Sequence, residues 1–259
     1  PVIDMPTRFV DFMRVLVPMA GDDTTPEGEQ VNIYGNHVGS WNFAATAYLN
    51  RWKVKIYYEH YFDDHSQMFF QYGRWKDGHI GLEITFPKNR FIDTFVYEGL
   101  GTKDQTGPML YDSFWGEFEE QISAKDNYYN HYLYQGWQHW GMGIGNPLLP
   151  GPIYNKNGQI TFISNRVLAH HIGFCGSPCQ SLSYRVLLSY SRHWGTYDNP
   201  LNEIKKQFNS LFEVTYAPQQ LKGWSFTVSG AMDRGSILGN NYGGMLVIRK
   251  QGIIKSGNK

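Results

Sequence analysis

From residue 40 onward, apolar and polar side chains alternate with a period of two over nine stretches: 40–49, 53–60, 79–86, 91–99, 164–174, 182–191, 207–216, 223–233 and 241–250. Successive side chains of a strand point to opposite faces, so this period predicts nine strands, each with an apolar and a polar face. The first sets Trp41, Phe43, Ala45, Ala47 and Leu49 against Ser40, Asn42, Thr46 and Tyr48, and the third sets Ile80, Leu82, Ile84 and Phe86 against Gly81, Glu83 and Thr85. Later stretches oppose Phe208, Phe212, Val214 and Tyr216 to Gln207, Asn209, Glu213 and Thr215. Two stretches are ambiguous: 91–99 mixes polarity on both faces, and 164–174 puts one of His170 or His171 outward. Upstream, Phe9, Phe12, Met13, Leu16 and Val17 share one helical face with Asp11 and Arg14 opposite, which predicts a short helix rather than a strand.

Alternation alone fits a soluble sandwich and a membrane barrel equally. Three further features favour the barrel. The connections run 3, 18, 4, 64, 7, 15, 6 and 7 residues, short then long, as tight turns on one side of a membrane and long loops on the other require. Strands of about 8 to 11 residues exceed the usual soluble length and approach what a tilted bilayer crossing needs. Aromatic residues sit beside the short turns (Tyr48 and Trp52, Phe86 and Phe91, Tyr216 and Trp224), with Trp41, Tyr58, Tyr190, Phe208 and Tyr242 as an outer counterpart, as in an interfacial girdle. The expected fold is therefore all-β: a transmembrane antiparallel β-barrel of the bacterial outer membrane, one domain over 1–259, with residues 100–163 as a long extracellular or plug loop. Nine is odd, whereas single-chain bacterial barrels usually have even strand numbers, so the count predicts the C-terminal part of a longer barrel.

Charge changes this picture little. Lys plus Arg and Asp plus Glu balance at 23 each, so no net field points to nucleic acid. Among motifs, the strings Gly35-Asn36-His37-Val38-Gly39-Ser40-Trp41-Asn42-Phe43, Tyr57-Tyr58-Glu59-His60, Asp126-Asn127-Tyr128-Tyr129-Asn130-His131, Gly136-Trp137-Gln138-His139-Trp140-Gly141 and Gly239-Asn240-Asn241-Tyr242-Gly243-Gly244 carry more information. Through them the chain resembles the capsule assembly protein Wzi family in its Bacteroidetes form, over most of residues 30–250. That resemblance implies an eighteen-stranded outer-membrane barrel, of which nine strands would be the C-terminal half. It also implies outer loops that hold capsular polysaccharide at the cell surface.

The 64-residue connection is where function is expected, because joining two adjacent strands needs far fewer residues. Its many rings either pack into a plug or remain as flat platforms for sugars beside polar groups. The candidate carbohydrate-binding residues are Trp115, Asp126, Asn127, Tyr128, Tyr129, His131, Trp137, His139 and Trp140, joined by Trp194 and Tyr197 from a second loop read at 192–206. His60, Asp63, Asp64 and His65 match no metal motif and read as solvated residues at a strand exit. Glu59 and Glu83 face the interior with Lys53, Lys55, Arg185 and Arg249, which predicts interior charge pairing rather than acid and base catalysis. Without a nucleophile elbow, phosphate loop or redox CxxC, no enzymatic activity, cofactor or metal is expected. Cys175 and Cys179 bracket a predicted turn, where a disulfide and two free thiols are both compatible with the spacing. The expected partners are surface polysaccharide, outer-membrane lipid and other outer-membrane proteins. The rival functions are a porin, which needs an open lumen, and a structural subunit of a larger membrane assembly.

Overall fold

The structure, a computed structural model, describes residues 6–17, 19–26, 30, 34, 37–63, 68, 70, 77–89, 91–105, 126–131 and 135–252. Its strands are β1 (Val38–Leu49), β2 (Trp52–Asp63), β3 (Gly78–Thr85), β4 (Thr94–Gly101), β5 (Gln138–His139), β6 (Met142–Gly143), β7 (Val167–Cys179), β8 (Leu182–Gly195), β9 (Pro200–Tyr216), β10 (Trp224–Gly235) and β11 (Asn241–Lys250). All but β5 and β6, which form a small hairpin of their own, join one antiparallel sheet in chain order. Every stretch of period two is thus a strand of a single sheet, not of two stacked ones. Among the described residues, β1 and β11 each pair on one side only.

Register makes the alternation coherent across the whole sheet. One row runs Ala45, Ile56, Leu82, Tyr97, Ile172, Leu188, Ser210, Met232 and Tyr242 from strand to strand. The adjacent row, on the other face, runs Ala44, Tyr57, Gly81, Glu98, His171, Ser189, Asn209, Asp233 and Asn241. The histidine ambiguity resolves accordingly. His170 stands on the apolar face with its Nδ1 2.8 Å from the Tyr97 hydroxyl, and His171 on the polar face with its Nδ1 2.7 Å from Ser189 Oγ.

The exposed face is the apolar one. Ile56, Ile80, Phe212, Val228 and Leu246 are all more than half exposed, while the polar-face residues Gln207 and Ser229 are buried. On the polar face Lys53 pairs with Glu83 at 3.4 Å and Arg185 with Glu213 at 3.3 Å, so opposite charges pair across that face. The buried apolar cluster lies at one end of that face, where Leu100, Val167 and Ala169 meet Tyr129, Leu149 and Phe162 from the long connection.

Two expectations are corrected, and one open alternative is decided. The loop read at 192–206 is only residues 196–199, because β8 and β9 continue their ladder up to a register shift at His193 and Gly195. The short–long rhythm therefore fades in the later hairpins, and 217–223 outruns 236–240. The strand read from residue 91 begins at 94. Asn89 claims the preceding residues, its Oδ1 accepting from the Phe91 and Ile92 amides at 2.8 Å each. Finally, Cys175 and Cys179 are free thiols. Both lie within β7, where four residues of extended chain span about 13 Å, beyond disulfide reach even allowing for the bulge between Gly176 and Cys179.

The helix appears as read, as α1 (Phe9–Leu16). Asp11 reaches back to the Arg8 amide at 2.9 Å and, buried, pairs with Arg8 and Arg14, while Phe9, Phe12 and Leu16 are exposed.

Candidate functional site

Residues 126–131 and 135–165 fold onto the polar face of the sheet at the end where the long connections emerge. Asparagine amides tie them down. Asn130 brackets Phe162 with two hydrogen bonds, donating to its carbonyl at 2.9 Å and accepting from its amide at 2.8 Å. Asn165 donates to the Tyr128 carbonyl at 2.8 Å and to Asn127 Oδ1 at 2.6 Å. Thr102 links this segment to the sheet by donating to the Asn165 carbonyl and accepting from the Val167 amide. Between the segment and the sheet lies a cavity of about 610 Å³, lined by Glu59, His79, Glu98 and His171 below and by Trp137 and residues 144–149 above.

Asp77, just before β3, is the hub of this docking. Its fully buried carboxylate accepts from the amides of Asp104 and Gln105 and from the Tyr128 hydroxyl at 2.9 Å. Burial nevertheless dominates these three donors and holds its pKa above the ordinary carboxyl value. Burial likewise raises the Tyr128 hydroxyl, reinforced by the Asp77 charge beside it.

Above this docked layer the β5–β6 hairpin projects Trp140. Its backbone is left-handed (φ 51), as is that of Gly141 (φ 78), the pair of positive angles that a tight two-residue hairpin turn demands. Left-handed backbone costs a bulky residue about 1 kcal/mol or more, and here that cost is not offset by burial, since the indole is 86% exposed. The tip is held from below: Gln138 Oε1 accepts from the Gly141 amide at 2.7 Å, and Gly141 lies so close to Ile153 that a side chain there would crowd its backbone. His139 packs its ring edge-on to Trp140, with centroids 6.2 Å apart.

A groove of about 770 Å³ opens between the docked segment and the start of β9. Its polar lining is made of amides and hydroxyls, from Asn127, Asn130, Gln135, Gln159, Asn199 and Asn202 with Thr161 and Thr196, together with His131. Among the described residues, no lysine, arginine, aspartate or glutamate lines it. Asn127 is committed to structure, donating to Asp198 at 3.3 Å. Among the described residues, the side-chain amides of Gln159, Asn199 and Asn202 make no hydrogen bond and are exposed, so they are available to a ligand.

The predicted sugar residues therefore divide. Trp140 and His139 are exposed at the hairpin, and Asn127 and His131 line the groove. Tyr128, Tyr129 and Asp126 are buried, so they present no surface to a sugar. Tyr129 packs edge-on to Phe162 at 5.0 Å and stacks near the half-buried Trp137 at 6.4 Å, which makes both rings part of the core. The rings of Trp194 and Tyr197 are covered by cations: Lys103 and Arg192 stand 4.9 and 5.2 Å from Trp194, and the Arg166 guanidinium lies 3.7 Å from Tyr197. Trp115 lies outside the described residues, as do Asp64 and His65. His60 is stacked on Phe70 at 3.9 Å, and no cluster of three metal-ligating side chains occurs among the described residues. Gln159 and Asn202 had no signal in the sequence, since lone amides in a polar stretch are indistinguishable from ordinary surface.

No family model matches the chain, and neither a curated protein nor a solved structure matches it.

Proposed function

We propose that the chain is part of an outer-membrane β-barrel that holds a surface polysaccharide, of the capsular kind, through the loops at one end. The sheet supports the membrane part: its exposed face is apolar along all nine strands, and its polar face is the one partly covered by the long connection. The observation that carries the glycan part is Trp140, a fully presented indole fixed at a hairpin tip, with an uncharged groove of amides and hydroxyls in the same docked segment. An aromatic face and side-chain amides are what a neutral sugar ring and its hydroxyls need. Each contact is weak, and retention comes from many of them along a repeating polymer. The docked segment lies on the polar face at the loop end, which speaks against an open pore.

The test is a capsulated host in which the native gene is replaced by W140A/N199A/N202A. Polysaccharide released into the medium is expected to rise several-fold with surface levels of the protein unchanged. Release equal to that of the native gene would retire the glycan reading.

A further inference from the structure

The register separates the charges of the sheet as cleanly as its apolar residues. Glu59, Asp63, Glu83, Glu98, Glu213 and Asp233 all fall on the polar face. Glu203, the remaining strand carboxylate, lies where the β8–β9 register shifts. The apolar face carries cations only at its ends. Lys250 is at the short-turn end, opposite Trp224, and Arg192, Lys206 and Arg234 are at the loop end of β8, β9 and β10.

These last three lie on neighbouring strands within one step of each other. Arg192 and Lys206 each stand one alternate position, about 6 to 7 Å, beyond Tyr190 and Phe208 of the outer aromatic row, and Arg234 faces Phe208 itself in the register. Arg192 and Lys206 face each other directly in the register, an arrangement that places like charges about 5 Å apart at the Cβ atoms and destabilises a sheet unless an anion intervenes. All three side chains are exposed, and none forms an ion pair with a carboxylate among the described residues. Lys103, over the same indole as Arg192, adds a fourth positive charge.

We infer that Arg192, Lys206 and Arg234 bind the phosphorylated headgroup of a membrane lipid in the leaflet on the loop side, an inference that rests on the membrane reading above. Acyl chains would lie along Leu188, Val186 and Phe212, the aromatic row would mark the interface, and phosphate oxygens would meet Arg234 at that row and Arg192 and Lys206 one step further out. A soluble anionic polymer fits less well, because reaching these side chains would press it against the acyl boundary, while the groove suited to sugars is uncharged.

The test reconstitutes the full chain in phosphatidylcholine vesicles doped with bisphosphorylated lipid A or with its dephosphorylated form. Protein is recovered by flotation, and co-extracted lipid A is quantified by mass spectrometry. The native chain should retain the phosphorylated form about tenfold over the other, R192Q/K206Q/R234Q should lose that preference, and K53Q/K55Q, which removes polar-face cations, should keep it. If the triple variant does not float, R234Q alone supplies the reading, with the preference falling about threefold. Equal retention of both lipids, or an unchanged preference in the variants, overturns the site while leaving the membrane reading intact. So does abolition of the preference by inorganic phosphate or by dextran sulfate, which would assign the cations to a free anion or to a soluble polymer. Failure of the native chain to float with either vesicle overturns the membrane reading and the site together.

Discussion

Ile80 and Glu98 stand on neighbouring strands only one register step apart, yet their surroundings are opposite. Ile80 is more than half exposed among Tyr58 and Gly99, its partners in register. Glu98, on the other face, accepts from the Tyr57 hydroxyl and lies 3.5 Å from His79. In water such a sheet would be inside out, because exposed apolar surface is unfavourable by roughly 25 cal/mol per Å² and nine strands display it without a break. In lipid that penalty vanishes and the polar face becomes the one that needs covering, by water, by ion pairs or by the long connection. The difference between faces thus fixes where each kind of substitution should be felt.

The largest effect is expected where the polar face is covered. Phe162, 1% exposed, joins Tyr129 and Leu149 in the cluster that docks residues 126–131 and 135–165. Phe162→Ala should weaken that docking by about 3 to 5 kcal/mol, seen as rapid cleavage of this segment by added protease with the strands still protected. Cleavage as slow as in the native chain would mean that the segment is not held by this cluster.

Next comes the bare face. Val228→Arg, in the middle of β10 and 60% exposed, should cost about 2 to 4 kcal/mol in the equilibrium of folding into vesicles, as for a cation near the middle of a membrane strand. The same substitution at Thr46, on the polar face of β1, should cost far less. Equal costs at the two positions would abolish the distinction between the faces.

A smaller effect sits at the junction of the two regions. Asp77→Asn leaves one of three donors without an acceptor and should weaken docking by about 1 to 3 kcal/mol. The sign of its pH dependence follows from burial. Asp77 has a folded pKa above its ordinary value of 3.8, so its contribution is fully present below that value and declines as pH rises through the raised one. Protection factors of the Gln105 and Asp104 amides against hydrogen exchange should fall over that range in the native chain and stay flat in the variant.

These contrasts also explain what the sequence disclosed. Strand positions and most faces were legible because a period of two repeats in seven of the nine stretches, and the register with those neighbours then fixes the faces of the two ambiguous ones, as when Tyr97 and Ile172 line up with Leu82 and Leu188. Strand ends were less legible, since polar residues such as Arg192 and Lys206 extend a ladder beyond the apolar stretch as readily as they form a loop. The site was legible by composition alone. Tyr128, Tyr129 and Trp137 carry the same aromatic signal as Trp140, and only the contacts made by Asp77, Phe162 and the β5–β6 hairpin decide which ring is buried.

The smallest effect on stability is expected from Trp140, and this is what makes it informative. Its indole touches little besides the edge of His139, and its left-handed backbone would be strained in any non-glycine residue. Trp140→Ala should therefore move stability by less than about 0.5 kcal/mol, the usual range for an exposed side chain with no partners, and Trp140→Gly should stabilise slightly by relieving the backbone. Both should lower binding of the host's purified surface polysaccharide to the detergent-solubilised chain, by about threefold to tenfold if a single stacked ring is lost. Phe162→Ala disturbs the same loop from within and should reduce binding and protease protection together. A Trp140→Ala chain that binds as well as the native one would reassign the exposed indole, and would leave the amide groove to hold the polymer without it.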